Sequence, residues 1–178
     1  MDKATLRHEV ANFLVLLDEE LRSFAANVHA GTLRKATHNL YYAAFDAACA
    51  LLWTKGIRAE THESAQSMIA LHFVKPGVLP KATNARLNEL MSARHAADYQ
   101  GAVSISRSDV RRYRDWTIPF VRQVIELIES SRLNVDLEPV RSSLAAAESV
   151  SLARPGGRSD GGGGGPARKR GRRSDAEA

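Results

Sequence analysis

Leu40-Tyr41-Tyr42-Ala43-Ala44-Phe45-Asp46-Ala47-Ala48-Cys49-Ala50-Leu51-Leu52-Trp53 is the stretch on which the fold turns. Thirteen of its fourteen residues are apolar. A helix that is apolar all round lies in the middle of a bundle or in a subunit interface. The run is interrupted by Asp46 and is too short to span a bilayer, which takes about 20 apolar residues. Lys55 and Gly56 give a C-terminal stop signal, so the predicted helix covers about 32–55.

The segments on either side carry the same period. Leu6, Val10, Phe13, Leu14, Leu17, Leu21, Phe24 and Val28 step by three and four, which predicts a first helix over 3–29 with Gly31 as its stop. Met68, Ile69, Leu71 and Phe73 predict a third helix over 63–74, closed by Pro76-Gly77. A fourth starts near Pro80 and runs to about Asp98. Ser106-Arg107-Ser108-Asp109 resembles a capping box, opening a fifth helix to about Arg132. Pro119 lies inside that helix and predicts a kink or a break there. No strand and no internal repeat emerges. Short links between long amphipathic helices imply an all-α, antiparallel up-down bundle of four to five helices over residues 1–135. Residues 136–153 leave room for one further short helix.

The last 25 residues differ from the rest. Residues 154–178 hold the run Gly161 to Gly165 and the cluster Arg168-Lys169-Arg170-Gly171-Arg172-Arg173, with no large apolar side chain. Nothing there offsets the entropy of ordering, so a disordered basic tail is expected. The tail carries seven Lys/Arg and three Asp/Glu, a net of +4. The remainder carries 18 and 17, a net of +1, which excludes a domain built as a broad basic surface for duplex DNA. Cys49 is the only cysteine, which excludes an intrachain disulfide framework and a cysteine-rich zinc site. The first residues lack the apolar core of a signal peptide, so a cytoplasmic protein with no membrane association is expected.

Charge appears where a helix ought to be apolar. Leu87, Leu90, Met91, Arg94 and Asp98 share one helical stripe. The last two place a guanidinium and a carboxylate one turn apart on the inward face. Buried charge is costly unless paired. The stripe therefore marks either a structural ion pair at i, i+4 or a polar site kept open at an interface. The chain holds no P-loop, no strand-linked GxGxxG and no His-Glu-x-x-His. Its six histidines (His8, His29, His38, His62, His72 and His95) lack ligand spacing, so neither a metal nor a cofactor is expected.

Tyr41-Tyr42-Ala43-Ala44-Phe45, Thr61-His62, Phe73-Val74-Lys75 and the closing Arg94 … Ala97-Asp98-Tyr99 together resemble the HEPN domain family. They resemble most its prokaryotic branch whose fourth helix ends Arg-x-x-Ala-Asp-Tyr. The resemblance spans about residues 5–132. It implies an all-helical and usually dimeric protein. It also implies a role in a toxin–antitoxin or RNA-related defence system, as the HEPN partner of a minimal nucleotidyltransferase. Many members are metal-independent ribonucleases with an arginine, four to six residues, then a histidine. Arg94 matches the arginine, while Asp98, Tyr99, Gln100 and Gly101 stand where the histidine would be. Arg22 and His29 repeat the spacing inside helix one, where short patterns arise by chance.

The resemblance thus points to Arg94, Asp98 and Tyr99 as the polar site. Arg94 would stabilise a charged phosphorane, and Asp98 would serve as base unless locked to Arg94. His95, Arg111 and Arg112 are candidates for RNA or nucleotide contacts. The competing reading of Arg111, Arg112 and Arg114 is a solvated face with Tyr113 and Trp116 turned inward. The competing reading of the whole is a non-catalytic binding or scaffold module with a structural Arg94–Asp98 pair.

Overall fold

The computed structural model describes residues 1–99 and 104–153. Among these residues the chain is entirely helical, an antiparallel bundle with no strand. The expected tail over 154–178 lies outside the described residues, as does the link at 100–103.

Helix α1 (Lys3–His29) is capped by Asp2, whose carboxylate accepts from the Thr5 amide at 2.8 Å. It turns Val10, Leu14, Leu17, Leu21, Phe24 and Val28 into the core. It stops at Gly31, whose φ of 74° is left-handed and suits glycine. Helix α2 (Leu33–Trp53) runs through the middle. Ala36, Ala43, Ala44, Ala47 and Ala50 have no exposed surface, because α1, α4 and α5 pack directly on them or beside them. α2 runs through the bundle centre, with Tyr42 and Phe45 left partly exposed.

Helix α3 (His62–Ile69) opens with a capping box between Thr61 and Ser64. The expected single helix over 63–74 is corrected here. The α-helical pattern ends at Ile69, and Ala70–Val74 form a π-helical turn, with the Lys75 amide donating to the Ala70 carbonyl at 2.8 Å. Helix α4 (Thr83–Tyr99) buries Leu87, Leu90, Ala93 and Ala97. Helix α5 (Arg107–Ser130) starts on the anticipated Ser106–Asp109 box. It does not break at Pro119. The proline is exposed, while Ile118, Phe120, Val121, Val124 and Ile125 around it are buried, so packing holds the helix across the missing hydrogen bond.

A further short helix, α6 (Glu138–Ser149), lies within the span left for one at 136–153 and packs Val140, Leu144 and Ala147 against α1 and α5. No helix among the described residues is long and apolar enough to cross a membrane.

Candidate functional site at the seam of α2 and α4

The seam is built on helical spacing. His38, Tyr41, Tyr42 and Phe45 step along one stripe of α2, next to the alanines that pack inward. Arg94 and Asp98 project from the facing side of α4, with side chains 15% and 17% exposed. Arg34, at the start of α2, donates to the Ala97 carbonyl at 2.7 Å and the Ala96 carbonyl at 3.4 Å. A cation on the last carbonyls of a helix satisfies groups that have no intrahelical partner, so this contact pins the end of α4 to α2.

Asp98 is shared. Its Oδ2 lies 2.9 Å from Arg94 Nε and 3.0 Å from His38 Nδ1. The Arg94 N–H does not point along its short contact, so that contact is an ion pair and not a hydrogen bond. His38 Nδ1 also reaches Oδ1, at 3.2 Å. An ionised carboxylate only accepts, so the proton of the neutral His38 ring sits on Nδ1 and the lone pair on Nε2.

Arg94 donates from Nη2 to the Tyr42 hydroxyl at 3.1 Å. Its guanidinium also lies 5.9, 5.5 and 5.6 Å from the ring centres of Tyr41, Tyr42 and Tyr99. Such distances give cation–π attraction and keep the arginine extended in the seam. Among the described residues, Arg94 Nη1 has no hydrogen-bond partner.

His62, at the start of α3, closes the aromatic side. Its ring lies 4.3 Å from Phe45, 5.5 Å from Tyr41 and 6.0 Å from Tyr42. Burial, then the Arg94 charge, lowers its pKa, so the ring is neutral at pH 7. Its Nδ1 is buried without a hydrogen bond. Burial likewise pushes the Tyr41 hydroxyl up, and that group stays protonated.

The expected site residues divide. Arg94, Asp98 and Tyr99 come together in the seam, with Tyr99 exposed. His95 is exposed beside them, its ring 5.8 Å from Tyr99. Arg111 and Arg112 sit elsewhere. Arg111 donates to the Leu152 carbonyl at 2.8 Å, and Arg112 faces Glu89 of α4 at 3.6 Å. Arg114 donates to the Val150 carbonyl at 2.8 Å. Arg111 and Arg114 therefore hold the segment after α6 against α5, and they are not merely a solvated face. No group of three or more His, Cys, Asp or Glu side chains that could hold a metal ion occurs among the described residues.

His38 is the residue that spacing within the sequence did not single out. Its partner lies sixty positions away, on another helix. The available signal was its place four residues before Tyr42, on the stripe that faces α4.

An all-helical bundle with an arginine-centred polar seam late in the fold defines a class, and the comparisons name it. The HEPN domain family model matches residues 18–131, and the chain belongs to that family. A UPF0332 protein of Pyrococcus horikoshii is 37% identical over 73 residues, covering 41% of this chain and 51% of that protein. The chain thus matches about half the length of that relative. A protein of Methanocaldococcus jannaschii named "Putative toxin" is 28% identical over 94 residues, covering 53% of this chain and 70% of its own length.

Proposed function

We propose that the chain is a toxin-type HEPN protein that cleaves RNA at the α2–α4 seam without a metal ion. In this reading it acts in the cytoplasm as the HEPN half of a toxin–antitoxin or RNA-related defence pair. Its partner is a minimal nucleotidyltransferase, and two copies associate near the exposed Tyr99. The observation that carries the reading is the seating of Arg94. Rings hold it extended, Asp98 and Tyr42 fix its Nε and Nη2 edges, and Nη1 is left for a ligand. Attack by a 2′-hydroxyl on the adjacent phosphorus builds negative charge on the phosphoryl oxygens, and a preorganised guanidinium stabilises that charge. The name of the M. jannaschii relative supports the toxin part of the reading.

The test is expression of the chain alone and together with its genomic neighbours, scoring growth. The chain alone is expected to arrest growth, a neighbouring nucleotidyltransferase to relieve the arrest, and Arg94→Ala to abolish it. Normal growth with the chain alone overturns the reading.

A second reading rests on the 2.9 Å approach of Arg94 to Asp98, which neutralises both and suits a non-catalytic binding module. The double variant Arg94→Met with Asp98→Leu separates the two. A stable and still active protein removes the seam as the site. A folded, inactive one removes the purely structural role.

A further inference from the structure

The ribonuclease motif of the family places its histidine after the arginine on the same helix, and this chain has Asp98 and Tyr99 there. The seam nonetheless contains an imidazole from a different helix. We propose that His38, on α2, is the general base of the site, oriented by Asp98 and working opposite Arg94. The inference rests on the RNA-cleaving reading given above.

Three observations carry it. Both Asp98 oxygens lie within hydrogen-bond distance of His38 Nδ1, at 3.0 and 3.2 Å, so the carboxylate sets both the ring's orientation and its tautomer. That leaves the Nε2 lone pair to take a proton, and the side chain is 29% exposed, enough to be reached. The same Oδ2 touches Arg94, so the base and the phosphate-binding cation meet on one atom. In this proposal one phosphodiester with its neighbouring 2′-hydroxyl engages both. The Tyr42 ring packs 4.6 Å from the imidazole and holds it from the side.

The competing candidates fail on geometry or protonation. Asp98 is occupied by two cationic or donor partners. Tyr41 and His62 are turned into the aromatic cluster, and the only buried nitrogen of His62 without a partner is Nδ1, which has no orienting carboxylate.

The step balances without a further reagent. His38 Nε2 takes the 2′-hydroxyl proton as the 2′-oxygen bonds to phosphorus. The bond from phosphorus to the 5′-oxygen breaks, and the leaving alkoxide takes a proton from water. The products are a 2′,3′-cyclic phosphate and a 5′-hydroxyl end, and His38 returns its proton to solvent.

The test uses the full chain, a labelled single-stranded RNA of random sequence, and the 2′-O-methyl form of that RNA, which has no proton to lose. His38→Asn keeps an N–H donor towards Asp98 but has no basic nitrogen. It is expected to bind the 2′-O-methyl RNA as wild type does and to cleave RNA at least ~100-fold more slowly, the low end for loss of a general base. His38→Ala is expected to regain cleavage when imidazole is added, which a lost structural contact alone would not allow. Cleavage by His38→Asn within a few-fold of wild type overturns His38 as base and leaves the ribonuclease reading intact. A wild-type chain that cleaves no RNA overturns both.

Discussion

Helix α2 carries polar groups on two sides, and the two seams are built differently. Against α1, the Thr32 hydroxyl donates to Asn27, Asn27 to Asn39, and Asn39 to Glu20, at 2.6, 2.8 and 2.6 Å. Asp46 lies buried further along that helix, where the Glu20 charge also acts on it. Against α4, the polar groups are His38, Tyr42, Arg94 and Asp98. The first seam holds amides and carboxyls without a cation. The second balances a carboxylate between an arginine and a histidine and stays partly open. A chain of amide hydrogen bonds fixes how two helices meet. A partly open seam with charges of both signs can exchange a partner for a ligand.

The contrast breaks most visibly at Arg94. Arg94→Ala is expected to lower RNA cleavage by roughly 100- to 1,000-fold, the range for loss of a preorganised group that stabilises charge. Asp98 keeps His38 as a partner in this variant. The stability loss is therefore expected to be about 1–2 kcal/mol in urea unfolding, below the 3–5 kcal/mol for a buried pair broken outright. A loss at the upper figure would make the second seam as structural as the first.

Asp46 sharpens the side facing α1. Burial, with Glu20 adding to it, pushes its carboxyl up to about 7. The folded chain thus holds this proton more tightly than the unfolded chain does. The stability this contributes is fully present below the ordinary value of 3.8 and is lost as pH rises through about 7. Wild type is expected to lose about 2–4 kcal/mol from this group between acid and mildly alkaline conditions, at about 1.4 kcal/mol per unit. Asp46→Asn is expected to flatten that fall, as read from urea midpoints across the range. An equally steep fall in the variant would place the titration elsewhere.

Asn39→Ala removes the middle of the amide chain and leaves Asn27 and Glu20 each short of a partner. A cost of about 1–3 kcal/mol is expected, with cleavage per folded molecule unchanged. Reduced cleavage at equal folding would show that the two seams are coupled through α2.

The smallest effect is expected at Tyr99. Its ring faces Arg94, and its hydroxyl has no partner among the described residues. Tyr99→Phe is expected to act as wild type does. Tyr99→Ala is expected to lose about 0.5–1 kcal/mol of attraction to the guanidinium, read as a few-fold weaker binding of 2′-O-methyl RNA. A large loss in Tyr99→Phe would give the hydroxyl a chemical role.

Legibility followed the range of the forces involved. The spans of α1 and α2, the Ser106 box and the inward stripe of Leu87, Leu90 and Arg94 depend on neighbours three or four residues away, and the periodicity revealed them. The π-helical turn at Ala70–Val74 and the unbroken helix through Pro119 depend on packing against other helices, which no local spacing encodes. The site divided the same way. Arg94 and Asp98 lie on one helix and stood out together. His38 is meaningful only once α2 and α4 are side by side, and Arg111 found its partner in the carbonyl of Leu152, beyond the end of α6.

The Arg34 clamp has a consequence for how this protein can change over time. Two of its acceptors are main-chain carbonyls, at Ala96 and Ala97. A hydrogen bond to the main chain does not depend on which side chains stand around it. Exchanges at positions 94, 95, 98 and 99 therefore leave these two acceptors in place. A lineage can trial new combinations there, including one whose histidine comes from another helix, without first rebuilding the frame that presents them.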